Sequence, residues 1–256
     1  MPAEMELDPD NVSAKSSPSA RVVIPGDPVP EIPPSDVVIL GPGLRREGPH
    51  AIVTRPGVLR HKPLPSSAEK LAPKAIYWVD THAKRYVAAR GEHVIGVILA
   101  KAGDTFRVDI GTSEPASLSF MAFEGATKKN RPNALPGDVV YAKLLVASRD
   151  MEPELVCVDA YGKKAGMGVL SGGGFVFTTP LHVIRKLLSP DCVLLKTLGD
   201  SIPFEIAVGM NGRIWVRCKS VKETISLANA ISVAEYMNND EIKAMSAKLV
   251  NALAGF

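Results

Sequence analysis

Fourteen of the 21 prolines fall at or before Pro73. Proline fixes φ near −65° and has no backbone donor, so it breaks helices and is excluded from the interior of sheets. The first third of the chain is therefore expected to be turn-rich, with short strands and little helix. Residues 1–20 are polar and acidic and are expected to form a disordered tail. Over 256 residues there is room for one large domain or two to three small ones. Hydrophobic residues are 46% and charged residues 22%, which excludes global disorder, a collagen-like fibre and a disulfide scaffold. Mean hydropathy is +0.09, and no apolar run approaches the ~20 residues that would cross a bilayer. No membrane partner is expected. The acidic start, Met1 to Glu6, has no apolar stretch of the signal-peptide kind. Cys157, Cys192 and Cys218 lie far apart and form no CxxC, which suggests a reducing compartment.

Three segments follow the tail. From 21 to 82 the runs Val22-Val23-Ile24, Val37-Val38-Ile39-Leu40, His50 to Thr54 and Ile76 to Val79 read as strands. They are punctuated by Pro25-Gly26-Asp27, Gly41-Pro42-Gly43 and Arg55-Pro56-Gly57. Residues 62–74 read as a loop or mobile hairpin tip. Within 44–62, Arg45, Arg46, Arg55, Arg60 and Lys62 face only Glu47, the composition of a solvated edge that resists pairing with other chains.

From 83 to 162 five β signals follow in order: His93 to Leu99, Thr105 to Ile110, Ala116 to Phe120, Asp138 to Val146 and Leu155 to Val158. Five short strands without a strong helical pattern predict a small closed barrel of the OB class. From 163 to 256 the pattern turns α+β. A helix is expected after Thr179-Pro180, then strands at Cys192 to Leu195, Phe204 to Val208 and Ile214 to Cys218. The capping box Ser220-Val221-Lys222-Glu223 starts a helix to about Met237. Asn238 with Glu241 starts another, carrying Ile242, Met245, Leu249 and Leu253 on one face. The fold class is thus mainly β with a C-terminal α+β domain.

Motifs for catalysis are missing. There is no GxxxxGK[ST] loop, no GxSxG elbow, no HExxH spacing and no cluster of carboxylates suited to two-metal work. Neither an enzyme nor a cofactor or metal is expected. Gly172-Gly173-Gly174, directly before Phe175-Val176-Phe177, reads as a hairpin turn and not as a phosphate cradle.

Two other features carry chemistry. The stretch Ala126 to Asn133 reads as a loop holding Lys128, Lys129 and Arg131, and Lys101 and Arg107 lie on the predicted barrel strands. Such cations either contact phosphates, releasing condensed counterions, or simply stay solvated. Phe106 could stack a base, although its alternation with Val108 and Ile110 favours the core. The string Gly209-Met210-Asn211-Gly212 looks like the GxxG clamp of KH domains. Its flanks are strand-like, however, and Asn211-Gly212 reads as a type I′ hairpin, a structural turn. Trp215 beside it is expected to pack against a neighbouring domain or partner, with an exposed base-stacking role as the alternative.

Long strings carry a resemblance over nearly the whole chain. They include Gly41-Pro42-Gly43-Leu44-Arg45-Arg46, Tyr77-Trp78-Val79-Asp80, Ser113-Glu114-Pro115, Phe123 through Asn133, Asp150-Met151-Glu152-Pro153-Glu154 and Gly209 through Val216. In that order they resemble the S1/KH cap subunits of the eukaryotic RNA exosome, of the Rrp-forty type. The resemblance implies an N-terminal β domain, an S1-type OB barrel and a KH-like domain. It implies a non-catalytic subunit that sits on RNase PH-like ring subunits beside other cap subunits. Such subunits guide single-stranded RNA to a 3′→5′ exonuclease, in rRNA processing and RNA turnover. It implies residence in the nucleus and nucleolus, and also in the cytoplasm. A paralogous cap subunit shares the three-part order, and a free-standing S1-type RNA-binding module is the alternative of another class. Many such barrels carry paired aromatics and a histidine on the RNA face. Here Lys101 to Phe106 has one aromatic, and Ser119 stands near where that histidine would fall, which fits a funnel that passes any sequence.

Overall fold

The computed structural model describes residues 21–32, 37–64, 73–127, 129–148, 151–170 and 172–254. The tail at 1–20, residues 65–72 of the proline-rich loop, and Lys128 lie outside the described residues, as does the Leu253 side chain. The chain forms two units, Met1–His82 and Ala83–Phe256.

In the first unit, β1 (Arg21–Val23), β5 (Gly57–Pro63), β6 (Ala75–Asp80) and β2 (Ile39–Leu40) lie in that order in one sheet. A separate ribbon pairs β3 (Leu44–Glu47) with β4 (His50–Val53). Val23, Val29, Ile32, Ala51, Val53 and Val79 are buried between them. Two of these strands were not legible as strands. β3 and β5 are the arginine-rich and Arg60-His61-Lys62 stretches, whose polar residues hide the period-two signal. Among the described residues β1 pairs with Gly57 to Leu59, and at Arg60 and Lys62 the strand β5 has β6 as its one neighbour. Cations at such an edge suit the solvated-edge reading.

The second unit opens with the barrel. β7 (His93–Ala102), β8 (Thr105–Asp109), β9 (Ala116–Ser119), β11 (Glu154–Val156) and β10 (Val139–Val146) are bonded in that order, and β10 closes on β7. Closure leaves no free edge around the ring. Phe106, Val108 and Ile110 alternate inward and join Val94, Ile98, Leu118, Val140 and Leu144 in the core. A register shift between Ile98 and Ala100 leaves Leu99 as an extra residue, 54% exposed. The apolar run His93 to Leu99 is therefore buried at Val94 to Gly96 and at Ile98, half-buried at His93 and Val97, and exposed at Leu99.

β12 (Gly168–Val169) extends the barrel sheet on β10, whereas β13 (Phe175–Thr178) pairs with β15 (Arg213–Cys218). The glycine triplet between them is thus no hairpin turn; it carries the chain from one sheet to the next. β15 also pairs with β14 (Phe204–Val208), giving the order β13-β15-β14. Four helices cover one face: α1 (Leu181–Leu188), α2 (Leu194–Gly199), α3 (Val221–Val233) and α4 (Asn239–Ala254). Val183, Ile184, Leu194, Leu198, Ile214, Val216, Leu227, Ile231 and Ile242 fill the space. The apolar run Cys192 to Leu195, expected as a strand, instead enters α2. Leu194 and Leu198, one helical turn apart, are both fully buried, and that spacing overrides the run. α3 begins at the expected capping box. The Ser220 hydroxyl accepts from the Glu223 N–H, and the Glu223 carboxylate accepts from the Ser220 N–H, both at 3.2 Å. No described helix is long and apolar enough to cross a membrane.

Candidate nucleic-acid interface

Alternation along β15 sends Ile214 and Val216 to the helices and Trp215 to the opposite face. There Trp215, 5% exposed, meets Ile95 and Ala207, with Val139, Tyr141, Leu170 and Val176 around it. The barrel and the three-stranded sheet therefore share a core, and Trp215 is its largest member. Gly174 is small for this reason. A Cβ there would sit 2.1 Å from the indole nitrogen.

The Gly209–Gly212 turn joins β14 to β15 and docks on the barrel. Gly212 has φ +84°, and Asn211 is not at positive φ. The Gly212 N–H donates to the Gly209 carbonyl at 3.1 Å, and the Gly209 N–H to the Arg213 carbonyl at 2.9 Å. The loop is thus a three-residue turn ending on a left-handed glycine, and not the two-residue type I′ form. The Asn211 side chain is spent elsewhere. Its amide donates to the Ile95 and Ile110 carbonyls, both at 2.8 Å, and its oxygen accepts from the Ile95 N–H at 3.2 Å. β7 and β8 stop pairing at Val97 and Asp109, and this carboxamide bridges the gap beyond. The Met210 N–H donates to the His93 carbonyl at 2.8 Å. The Arg213 guanidinium donates to the Asp109 carbonyl at 2.7 Å and to its carboxylate at 2.6 Å. Burial pushes the Asp109 carboxyl up. The Arg213 hydrogen bond, the Gly111 N–H and the Arg213 charge outweigh it and hold the group below the usual carboxylate range. A turn engaged in this way holds two domains together and is not open to clamp a nucleic-acid backbone.

Gly212→Val is expected to lower the melting temperature. The left-handed φ strains a β-branched residue by about 1–3 kcal/mol. The new Cβ would also lie 2.8 Å from the Thr179 carbonyl oxygen. A thermal midpoint equal to that of the parent would refute this account of the turn.

The predicted basic residues distribute differently. The Leu99 bulge inverts the alternation of β7, so Lys101 pairs with inward-facing Phe106 and reaches over the end of the barrel. Its ammonium lies 4.9 Å from the centre of the Phe120 ring. The Arg131 guanidinium lies 5.4 Å from the same ring and 3.3 Å from the Asp104 carboxylate. Two cations thus lie against one aromatic ring. Lys129 is exposed in the adjacent turn, where the Thr127 N–H donates to the Asn130 carbonyl. Arg107 is exposed on the outer wall of β8, opposite Ser117 of β9. Phe106 is 1% exposed and packs against Phe120 with ring centres 4.4 Å apart, so it is a core residue and cannot meet a base. Phe120 is 4% exposed. Ser119 caps the short turn Phe120–Ala122, accepting from the Met121 N–H at 3.3 Å. Asp104 and Phe120, which position Arg131, were not singled out from sequence. Neither has a local signal, because both act through partners distant in the chain.

Family models match three successive stretches of the chain. Residues 21–82 match the N-terminal domain of mammalian exosome complex component RRP40, residues 86–168 the S1 domain of RRP40, and residues 174–222 a KH domain. Exosome complex component RRP40 of Mus musculus is 50% identical over 215 residues, 84% of this chain and 77% of that protein. The chain belongs to the RRP40 family. The Drosophila melanogaster RRP40 is 46% identical over 229 residues, covering 88% of this chain and 94% of that protein. The Saccharomyces cerevisiae RRP40 is 37% identical over 215 residues, covering 82% and 86%. A crystal structure described as an exosome complex RNA-binding protein aligns with a TM-score of 0.55 at 21% identity. It covers 66% of this chain and 99% of that one, and it shows a shared fold. For this RRP40 family member the KH-type GxNG string is part of the joint to the S1 barrel, and Lys101, Lys129 and Arg131 gather at one barrel end while Arg107 stands on the wall.

Proposed function

We propose that this chain is a non-catalytic cap subunit of the RNA exosome that steers single-stranded RNA toward 3′→5′ exonucleases carried by other subunits. One observation supports the steering role above the rest. At one barrel end Lys101, Lys129 and Arg131 are exposed, while the rings beneath them are sealed. Cations over sealed rings grip the sugar-phosphate chain and do not read base identity. A guide that must pass every transcript needs that indifference. Membership of the RRP40 family supports leaving the cutting to other subunits. Family membership supports ring subunits of the RNase PH type and other cap subunits as partners. The same membership supports work in rRNA processing and RNA turnover in the nucleus, nucleolus and cytoplasm.

The test uses Lys129→Glu with Arg131→Glu in the reconstituted complex. The variant is expected to co-purify with the other subunits and to keep its melting temperature, since both side chains are exposed. Degradation of a single-stranded substrate should slow several-fold. The salt dependence of RNA binding should become shallower, its log–log slope falling by roughly 0.7 for each phosphate no longer neutralised. Unchanged degradation and unchanged salt dependence would overturn the reading.

A further inference from the structure

The barrel end that carries Lys101 and Arg131 also holds the turn from Asp159 to Gly166. Chain direction puts it there. β11 runs parallel to β9, so the chain leaves β11 where β9 runs into the Phe120–Ala122 turn. The Cys157 N–H donates to the Ala122 carbonyl at 2.9 Å. The Lys164 N–H donates to the Glu124 carboxylate at 3.2 Å, and Glu124 opens the stretch leading to Lys129 and Arg131. The turn is held by its own bonds. The Asp159 carboxylate accepts from the Tyr161 and Lys163 N–H groups, both at 2.9 Å, and the Asp159 N–H donates to the Lys163 carbonyl at 2.8 Å. At its apex Tyr161 is 88% exposed, and Lys163 and Lys164 beside it are exposed as well.

We propose that Tyr161 is a base-stacking platform for single-stranded RNA, with Lys163 and Lys164 on the flanking phosphates. This rests on the RNA-guiding reading above and adds to it the missing aromatic surface. Phe106 and Phe120 are sealed in the barrel and Phe123 is half-buried against Phe106, so Tyr161 is the most open of the rings at this end. A phenol ring on a turn already fixed by Asp159 loses little freedom on binding. Asp159 and Glu124 are held back against the backbone, Asp159 by the N–H groups of the turn and Glu124 by that of Lys164, while Tyr161, Lys163 and Lys164 are exposed. An open ring with two exposed cations beside it suits a polyanion with flat bases. Stacking tolerates any base, so the platform adds grip without adding sequence preference.

The test exposes the full chain to an oligouridine carrying photoreactive 5-iodouridine and maps the crosslinks by mass spectrometry. Binding of a fluorescent oligouridine is measured alongside for the parent, Tyr161→Ala, Tyr161→Phe and the Lys129→Glu, Arg131→Glu pair. Expected are an adduct on Tyr161, about tenfold weaker binding for Tyr161→Ala, and near-parental binding for Tyr161→Phe. Melting temperatures should not change, because the ring is exposed. Adducts elsewhere only, with Tyr161→Ala binding like the parent while the charge-reversed pair binds weakly, would overturn the platform and leave the guiding role standing. Absence of crosslinks together with unaltered binding in every variant would overturn both. Loss of a protein partner by Tyr161→Ala, with RNA binding intact, would make the turn a protein-docking element and overturn the platform.

Discussion

Trp215→Ala should destabilise the second unit by about 3–5 kcal/mol, the usual cost of emptying a large aromatic site in a core. The indole is 5% exposed and touches both the barrel, through Ile95, Val139 and Tyr141, and the C-terminal sheet, through Ala207 and Val176. Its loss therefore opens a cavity that neither domain can close alone. The thermal midpoint should drop by roughly 10 °C for a unit of this size. Trp215→Phe should recover part of the loss, because a smaller ring still fills some of the space. A midpoint within about 2 °C of the parent for Trp215→Ala would show that the two domains are not joined through this side chain.

Asn211→Leu should cost about 3 kcal/mol. The substitution keeps roughly the same volume but leaves the Ile95 N–H and the carbonyls of Ile95 and Ile110 without the carboxamide that pairs them. Each buried polar group left unpaired costs about 1–3 kcal/mol, and the three lie so close together that the costs will not add fully. Asn211→Asp should be no better, since a carboxylate would replace two donors and face two carbonyl oxygens. Urea denaturation measures the loss. Hydrogen exchange at the Ile95 amide reports it locally, and an unaltered exchange rate there would refute the bridging role. Neither substitution touches Lys101, Lys129 or Arg131, so any fall in RNA handling should track the loss of folded protein.

Much of the barrel was readable because strands with one buried face repeat every second residue. Phe106, Val108 and Ile110 show that repeat and are all buried. The capping box at Ser220 was readable because a cap is a local device. The segment at Cys192 misled because a short apolar run fits a strand and a helix equally well. Only the burial of Leu198 one turn after Leu194 separates the two. β5 escaped notice because its outer half is Arg60-His61-Lys62, polar on both faces. The glycine triplet looked like a hairpin turn because glycine marks a sharp change of direction without saying which strands then pair.

The candidate site divides in the same way. Lys129 and Arg131 stand out in sequence because they cluster in an Asn- and Pro-containing stretch. That Arg131 and Lys101 lie against the same ring does not stand out. It depends on one extra residue, Leu99, which turns Lys101 toward the end of the barrel, and on a ring supplied by the turn after β9.

Local order set the strands, the turns and the family likeness, since periodicity and caps act over a few residues. The meeting of Asn211 with Ile95, 116 positions away, had to wait for the folded chain. A polar side chain takes whichever buried partner the path of the backbone brings within reach. That path is fixed by the packing of whole sheets and helices, which no short stretch of residues encodes.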